Sequence, residues 1–407
     1  MTSKIALLQV NPVVGDIGGN ASQISKLANQ ASQAGASLAV TTELAISGYP
    51  PRDLLLQSDF IETCHATANN LESEIPILVG TPVPPLDDRS LPGNGVVRAG
   101  DSVREVTRKQ LLPTYDVFDE ARYFEADERP GIARTIAGLD IGVTICEDAW
   151  QHCGATPNDY DSDPIAQIVE WGRQGVVLDA TVNLSASPYH ANKSGIRVAV
   201  ARSAAASLNH PFLLANQVGG NDDLLFDGRS VIAWPNGTAV IAPAWKEGIL
   251  IADLSSPEGC VWIGDGELSI LGSDEDVEDE EDDLLDAIII GLSDYCRKSG
   301  ISKIVLGLSG GIDSALAACV ASAAVGPANV TGISMPSRHS SQHSIDDARA
   351  TAEALGIVFS LQPITELHTA ADSALAELLE NGNPVAGENL QARLRGLIVM
   401  AHANANG

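Results

Sequence analysis

The chain begins with an apolar run, KIALLQV at 4–10, and similar runs recur through its first 255 residues. They are SLAVTTE (37–43), IPILVGTPV (75–83), GVVRAG (95–100), IGVTICED (141–148), GVVLDATVN (175–183), PFLLANQVG (211–219) and GILIADL (248–254). Each is short and rich in aliphatic and β-branched side chains, which predicts a strand. FDGRSVIAWPNGTAVIAPA (226–244) has Pro235-Asn236-Gly237 between two apolar halves and predicts a hairpin. Helical stretches, 20–34 and 193–207 among them, lie between the strands. The alternation predicts a layered α/β unit over 1–255.

The pattern then breaks. In GSDEDVEDEEDD (272–283), nine of the ten residues from Asp274 to Asp283 are acidic. Such a block repels itself and reads as a linker, placed at 256–283. Beyond it, LLDAIIIGLSDYCRKSG (284–300) is amphipathic and stops at Gly300. IVLGLSGG, NVTGISMPS and IVFSLQPI then read as strands, separated by the helices DSALAACVASAAV and SIDDARATAEALG. That β-α-β-α-β order implies a parallel sheet with right-handed crossovers. A last helix, ENLQARLRGLIVMAHANA, runs to Gly407. A helix ending in Asn-Gly normally feeds another strand, so the sheet reads as cut short, with an apolar face exposed around Leu397–Met400.

Composition narrows the function classes. A chain of 407 residues with 44% hydrophobic content has room for two or three domains with real cores. No run of 18 apolar residues predicts a membrane span, and the N-terminus lacks a signal-peptide layout, so the cytoplasm is the default location. The six cysteines (64, 146, 153, 260, 296 and 319) form no CxxC pair, which argues against a disulfide framework or a zinc knuckle. A net charge of −29 repels nucleic-acid phosphate and anionic lipid, so neither is expected as a partner. The acidity suits simple solubility and a salt-rich cytoplasm equally.

Three segments carry candidate chemistry. Glu43 sits in TTELAISGYPPRDLL, Lys109 in RKQLLPTYDVFDEARYF and Cys146 in GVTICEDAW. Glu43 and Cys146 fall at predicted strand ends, where α/β sheets collect catalytic groups. A cysteine that attacks an amide must lose its proton, so it needs a base and positive charge nearby. A carboxylate alone raises the thiol's pKa; a lysine beside both offsets this and stabilises an oxyanion. Composition alone would not select these three, because a lone cysteine on a buried strand is usually inert.

Together the three segments resemble the nitrilase/amidase superfamily, whose Glu-Lys-Cys triad hydrolyses carbon–nitrogen bonds. More narrowly, ELAISGYPPRDLL, LLPTYDVFDEARYF, ICEDAW, NLSASPYH and NQVGGNDDLLFDG resemble the glutaminase domain of glutamine-dependent NAD synthetases. The resemblance implies an α-β-β-α sandwich, with Glu43 as base, Lys109 as electrostatic stabiliser and Cys146 as nucleophile. It places Tyr115, Ser187 and Lys193 around glutamine and makes Glu120 the carboxylate that orients the lysine. Glu147 either contacts substrate or orients the loop. His152 and His190 are read as non-catalytic, because the triad already supplies a base.

The second unit holds LGLSGGIDSAL (306–316). It fails the GxxxxGK[ST] test: counting from Gly307, the sixth position is Ile312 and the next is Asp313. Gly310 and Gly311 still let the backbone bend and present N–H groups, and the following helix adds its positive end. Ser309 and Ser314 add hydroxyls. A carboxylate at Asp313 suits phosphate only through a cation, which points to Mg²⁺. SGGIDS resembles the pyrophosphate loop of ATP-pyrophosphatases, a partial Rossmann-like domain here, with ATP held by Gly307, Leu308, Ser309, Gly310, Gly311, Ile312, Asp313 and Ser314. MPSRHSSQHSIDDARATAEALGI and ENLQARLRG resemble the NAD synthetase branch, which places Asn389 and Arg393 near deamido-NAD. Arg338 and His339 stay unassigned.

The resemblance therefore implies glutamine hydrolysis coupled to ATP-dependent amidation of deamido-NAD, releasing AMP and pyrophosphate, in a homo-oligomer. Full-length relatives continue beyond the position matching Gly407, so an impaired ligase half is expected. Two rivals stand beside this reading: a free-standing amidase with a vestigial tail, and a non-catalytic assembly subunit.

Overall fold

A computed structural model describes residues 4–87, 90–100, 104–128, 130–157, 159–273, 283–338, 340–381 and 385–406. It forms two compact units, Met1–Leu284 and Leu285–Gly407.

The first unit is built on two seven-stranded sheets. One runs through Val261–Gly264, Gly248–Asp253, Lys4–Gln9, Leu38–Val40, Ile77–Val83, Gly93–Ala99 and Arg104–Arg108. The other runs through Ser269–Leu271, Ala239–Ile241, Val231–Ala233, Phe212–Asn216, Ala180–Ser185, Leu139–Ile145 and Gly131–Ile136. Each sheet has three parallel strands at or near its middle, flanked by antiparallel ones.

Strand alternation explains the layers. Ile5 and Leu7 point between the sheets and meet a core that includes Ile141, Val143 and Val182. Their neighbours Ala6 and Leu8 point outward, to Ile24 and Ala28 of helix Ile17–Gln33 and Cys64 of helix Ser58–Asn69. Likewise Leu213 faces the inner core, while Phe212 and Leu214 pack on Ile165 and Val198 from helices Pro164–Arg173 and Lys193–Leu208. Strands covered on both faces read as unbroken apolar runs, which is why the chain shows so many. Each fully buried Leu or Ile contributes about 1.5–3 kcal/mol. The result is the α-β-β-α sandwich.

Some boundaries differ from the sequence reading. The strand expected at 175–183 begins only at Ala180; Val177 is exposed, and Asp179 instead accepts from the N–H of Asp140. The run at 211–219 divides, because Val218–Asn221 leaves the sheet to pair with Leu224–Asp227. The run at 141–148 ends as a strand at Ile145. Within the segment expected as linker, Val261–Gly264 and Ser269–Leu271 each extend one sheet at its edge. Residues 274–282 lie outside the described residues.

In the second unit, Ile304–Gly307, Val330–Ser334 and Val358–Leu361 form a parallel sheet in that order. Helices Ile312–Val325 and Gln342–Leu355 make the crossovers. Ala318 and Ala321 of the first share one core cluster with Ala348 and Ala352 of the second, small side chains that allow close approach. Helix Val385–Asn406 leaves Leu397 and Met400 exposed. Among the described residues, no helix is long and apolar enough to cross a membrane.

Candidate functional site

In the first unit the three candidate residues leave three strands. Glu43 follows Leu38–Val40, Lys109 follows Arg104–Arg108 directly, and Cys146 follows Leu139–Ile145 directly. The backbone turns sharply at Cys146, which has φ +44°, and a single 3-10 turn begins there. Asn183 braces this turn, donating from Nδ2 to the Cys146 carbonyl at 3.2 Å.

Lys109 is fully buried between two carboxylates. Its Nζ donates to Glu43 Oε1 at 2.8 Å and to Glu120 Oε2 at 2.7 Å. Asn94 Nδ2 also donates to Glu43 Oε1, at 2.7 Å, and the Ala186 N–H donates to Glu43 Oε2, at 3.1 Å. The Tyr49 hydroxyl donates to Glu120 Oε1 at 2.8 Å. Two carboxylates against one ammonium leave the cluster negative, and these neutral donors spread that charge.

The electrostatics follow from burial. Burial pulls the Lys109 ammonium down, but Glu120 and Glu43 outweigh it and hold its pKa well above the usual lysine range. Burial pushes the Glu120 carboxyl up to about 7, against the pull of Lys109 and with a further push from Glu43. The Cys146 thiol is raised well above its usual range, first by burial and then by the charge of Glu43, with Lys109 opposing. The sulfur is therefore held as a thiol, and a base would have to take its proton before it could act as a thiolate.

The residues expected around glutamine make contacts with neighbours of these three. The Tyr115 hydroxyl donates to Glu147 Oε1 at 2.8 Å, and Tyr160, which motif reading missed, adds a second hydroxyl at 3.2 Å. The Lys193 ammonium lies 4.2 Å from the Trp150 ring centroid, a cation–π contact. Ser187 is buried and follows the residue whose N–H holds Glu43; its own N–H donates to Asn216 Oδ1 at 2.9 Å. His152 bonds Asp163 and Ser207, each at 2.8 Å, and exposed His190 bonds the Ala191 carbonyl. Tyr49 and Asn183 lie in the quoted segments ELAISGYPPRDLL and NLSASPYH but were given no role there, and Asn94 lies in none; the fold brings all three to the site.

In the second unit the glycine loop joins strand Ile304–Gly307 to helix Ile312–Val325. Gly310 has φ +83°, and a Cβ there would strike the Ser344 carbonyl, so the position demands glycine. The Ser309 N–H donates to Ser314 Oγ at 3.2 Å, and Ser314 Oγ donates to the Gly311 carbonyl at 2.9 Å, which fixes the turn. Beside it is a cavity of about 350 Å³, lined by Gly307, Leu308, Ser309, Met335, Ser344 and Arg395 among others. Ile312 and Asp313 stay exposed in the first helical turn. Asn389 and Arg393 are exposed on helix Val385–Asn406 and do not line the cavity. Arg395 does line it, and its Nε donates to the Met335 carbonyl at 3.2 Å. Arg393 and Arg395 both lie in ENLQARLRG; two residues apart, they point to nearly opposite sides of the helix, and Arg395 is the one at the cavity.

Residues 4–259 match the carbon–nitrogen hydrolase family, and residues 284–407 match the NAD synthase family. Fold and sites thus define a carbon–nitrogen hydrolase unit joined to an NAD synthase unit. A glutamine-dependent NAD(+) synthetase from Synechocystis is 41% identical over an alignment covering 99% of this chain and 72% of that protein. One from Aquifex aeolicus is 35% identical, covering 98% and 72%. The solved structure of the Acinetobacter baumannii glutamine-dependent NAD+ synthetase in complex with ADP superposes with a TM-score of 0.85 at 30% identity, covering 100% of this chain and 73% of that one. An amidase from Nesterenkonia, at 20% identity and a TM-score of 0.51 over 62% of this chain, shares the fold. The chain belongs to the glutamine-dependent NAD(+) synthetase family.

Proposed function

We propose that the first unit releases ammonia from glutamine at Cys146 and that the second uses ATP and this ammonia to convert deamido-NAD to NAD. The observation that carries the reading is the buried Lys109 bridging Glu43 and Glu120 beside a buried cysteine.

Glu43 takes the thiol proton as Sγ bonds the side-chain amide carbon. The Lys109 ammonium stabilises the negative charge on the carbonyl oxygen. The C–N bond breaks as Glu43 hands its proton to the departing nitrogen, which leaves as ammonia. Water then attacks the thioester, giving a proton to Glu43, and glutamate departs as the proton returns to sulfur. Tyr115, Ser187 and Lys193 hold the amino-acid end of glutamine.

In the second unit the glycine loop and the cavity beside it receive ATP. The nicotinate carboxylate of deamido-NAD displaces pyrophosphate from the α-phosphorus, and ammonia then displaces AMP. Asn389 and Arg393 are proposed contacts for the dinucleotide. Among the described residues no three His, Cys, Asp or Glu side chains gather as a metal cage. A single exposed Asp313 beside the loop fits Mg²⁺ whose remaining ligands are phosphate oxygens and water. Bound there, the ion would neutralise phosphate charge. A cytoplasmic homo-oligomer remains the working arrangement.

The test uses 6-diazo-5-oxo-L-norleucine, a glutamine-analogue electrophile, with peptide mapping. Labelling at Cys146, protection by glutamine, and loss of glutamate release in Cys146→Ser are expected. Labelling elsewhere, or hydrolysis that survives in Cys146→Ser, would sink the proposal.

A further inference from the structure

Asp148 comes two residues after Cys146, is almost completely buried, and takes no part in the steps above. Its Oδ1 accepts the backbone N–H of Gln110 at 3.0 Å and that of Leu111 at 2.9 Å. Its Oδ2 accepts the N–H of Ile145 at 3.0 Å. These donors are placed tellingly: Gln110 directly follows Lys109, and Ile145 directly precedes Cys146. The lysine leaves the edge strand Arg104–Arg108 of one sheet, and the cysteine leaves Leu139–Ile145 of the other. One carboxylate therefore ties together the two chain segments that carry the cation and the sulfur. It also caps the 3-10 turn that starts at the left-handed Cys146.

We propose that Asp148 is a positioning residue for amide hydrolysis: its carboxylate clamps the Lys109 segment to the Cys146 turn and so fixes the ammonium relative to the sulfur. The proposal rests on the reading of Cys146 as nucleophile. Both oxygens are needed. Asparagine has the same size but only one acceptor oxygen, so whichever way it turns, its NH₂ faces a backbone N–H and half the clamp opens. Burial pushes the Asp148 carboxyl up to about 7, opposed by its three N–H donors and by Lys109. Protonation would open the clamp in the same way, because the added O–H would face a donor.

The experiment compares glutamine hydrolysis by the full chain with that by Asp148→Asn, Asp148→Glu, Asp163→Asn and Cys146→Ala. Asp163 is a control carboxylate, the N-cap of helix Pro164–Arg173 and a partner of His152. In Asp148→Asn, kcat should fall about a hundredfold, the usual effect of misplacing a catalytic group by about 1 Å. KM for glutamine should stay within about threefold, because none of the three Asp148 bonds goes to a proposed glutamine contact, and labelling of Cys146 by 6-diazo-5-oxo-L-norleucine should slow with kcat. The acid limb of the kcat–pH profile should also move, which a purely structural carboxylate would not cause. If Asp148→Asn fails to fold, Asp148→Glu keeps the charge, displaces the clamp by one methylene, and is held to the same criteria. A kcat within threefold of the parent, or a loss matched by Asp163→Asn, overturns the proposal. Activity remaining in Cys146→Ala would overturn the nucleophile reading instead; a dead Cys146→Ala beside a fully active Asp148→Asn defeats the clamp alone.

Discussion

Replacing Lys109 by methionine removes the ammonium from between Glu43 and Glu120 and keeps most of the side-chain volume. The side chains are 0%, 0% and 6% exposed, and the contacts are 2.8 and 2.7 Å. At an effective dielectric near 20, each pair attracts with about 6 kcal/mol before desolvation is counted. Stranding the partner of a buried pair typically destabilises by about 3–5 kcal/mol, and that is the expected loss at pH 8. The loss should shrink in acid. In the parent, Lys109 titrates well above its usual range, so its stabilisation persists throughout the pH range below that and disappears only in strong alkali. In the variant the two carboxylates face each other without a cation. The Glu120 carboxyl, already pushed up to about 7, loses the lysine that opposed the push and rises further above the unfolded value of about 4.3; the folded state binds more protons, and stability falls as pH rises through the folded value. All five tryptophans (150, 171, 234, 245 and 262) lie in the first unit, so their fluorescence in urea follows that unit alone. An equal loss at pH 5 and pH 8, or a loss below about 1 kcal/mol at pH 8, would refute the reasoning. Adding Glu120→Gln to the variant should restore part of the stability.

Two further predictions concern the second unit. Gly310→Ala should abolish ATP binding measured by calorimetry, because the new methyl meets the Ser344 carbonyl in a left-handed backbone. Arg395→Ala should weaken ATP binding about tenfold while Arg393→Ala leaves it within about twofold, because only Arg395 lines the cavity and bonds the Met335 carbonyl; the reverse ranking in the same titration would contradict this.

The second unit was easily read from sequence. Its strands are apolar, the helices between them are small-residue or amphipathic, and Gly300, the Gly310–Gly311 pair and Gly326 mark the first junctions, although helices Thr365–Ala374 and Ala376–Asn381 had not been predicted. In the first unit the central strands were equally plain, being covered on both faces. The strand Arg104–Arg108 was not, because its side chains are mostly polar; buried Arg108 donates from Nε to Glu105 and from Nη2 to the Pro84 carbonyl. Val261–Gly264 and Ser269–Leu271 were hidden by an acidic neighbourhood and by their partly exposed, edge positions. At the site, Tyr49 and Asn183 sit inside segments that carry the resemblance, ELAISGYPPRDLL and NLSASPYH, but nothing in those segments says what they hold. Tyr49, Asn94 and Asn183 are ordinary strand or loop residues until tertiary contacts bring them to Glu120, Glu43 and Cys146. Asp148 stood inside ICEDAW, yet its role depends on backbone N–H groups nearly forty residues away.

The left-handed backbone at Cys146 sets folding against chemistry at one position. A β-carbon in that region typically costs about 1–3 kcal/mol that glycine avoids. The β-carbon that carries the Cys146 sulfur is thus a local liability, and Cys146→Gly removes this strain at the cost of a buried side chain that packs in the inter-sheet core. Alanine or serine at this position would remove the thiol and keep the strained β-carbon, whereas glycine alone would relieve it.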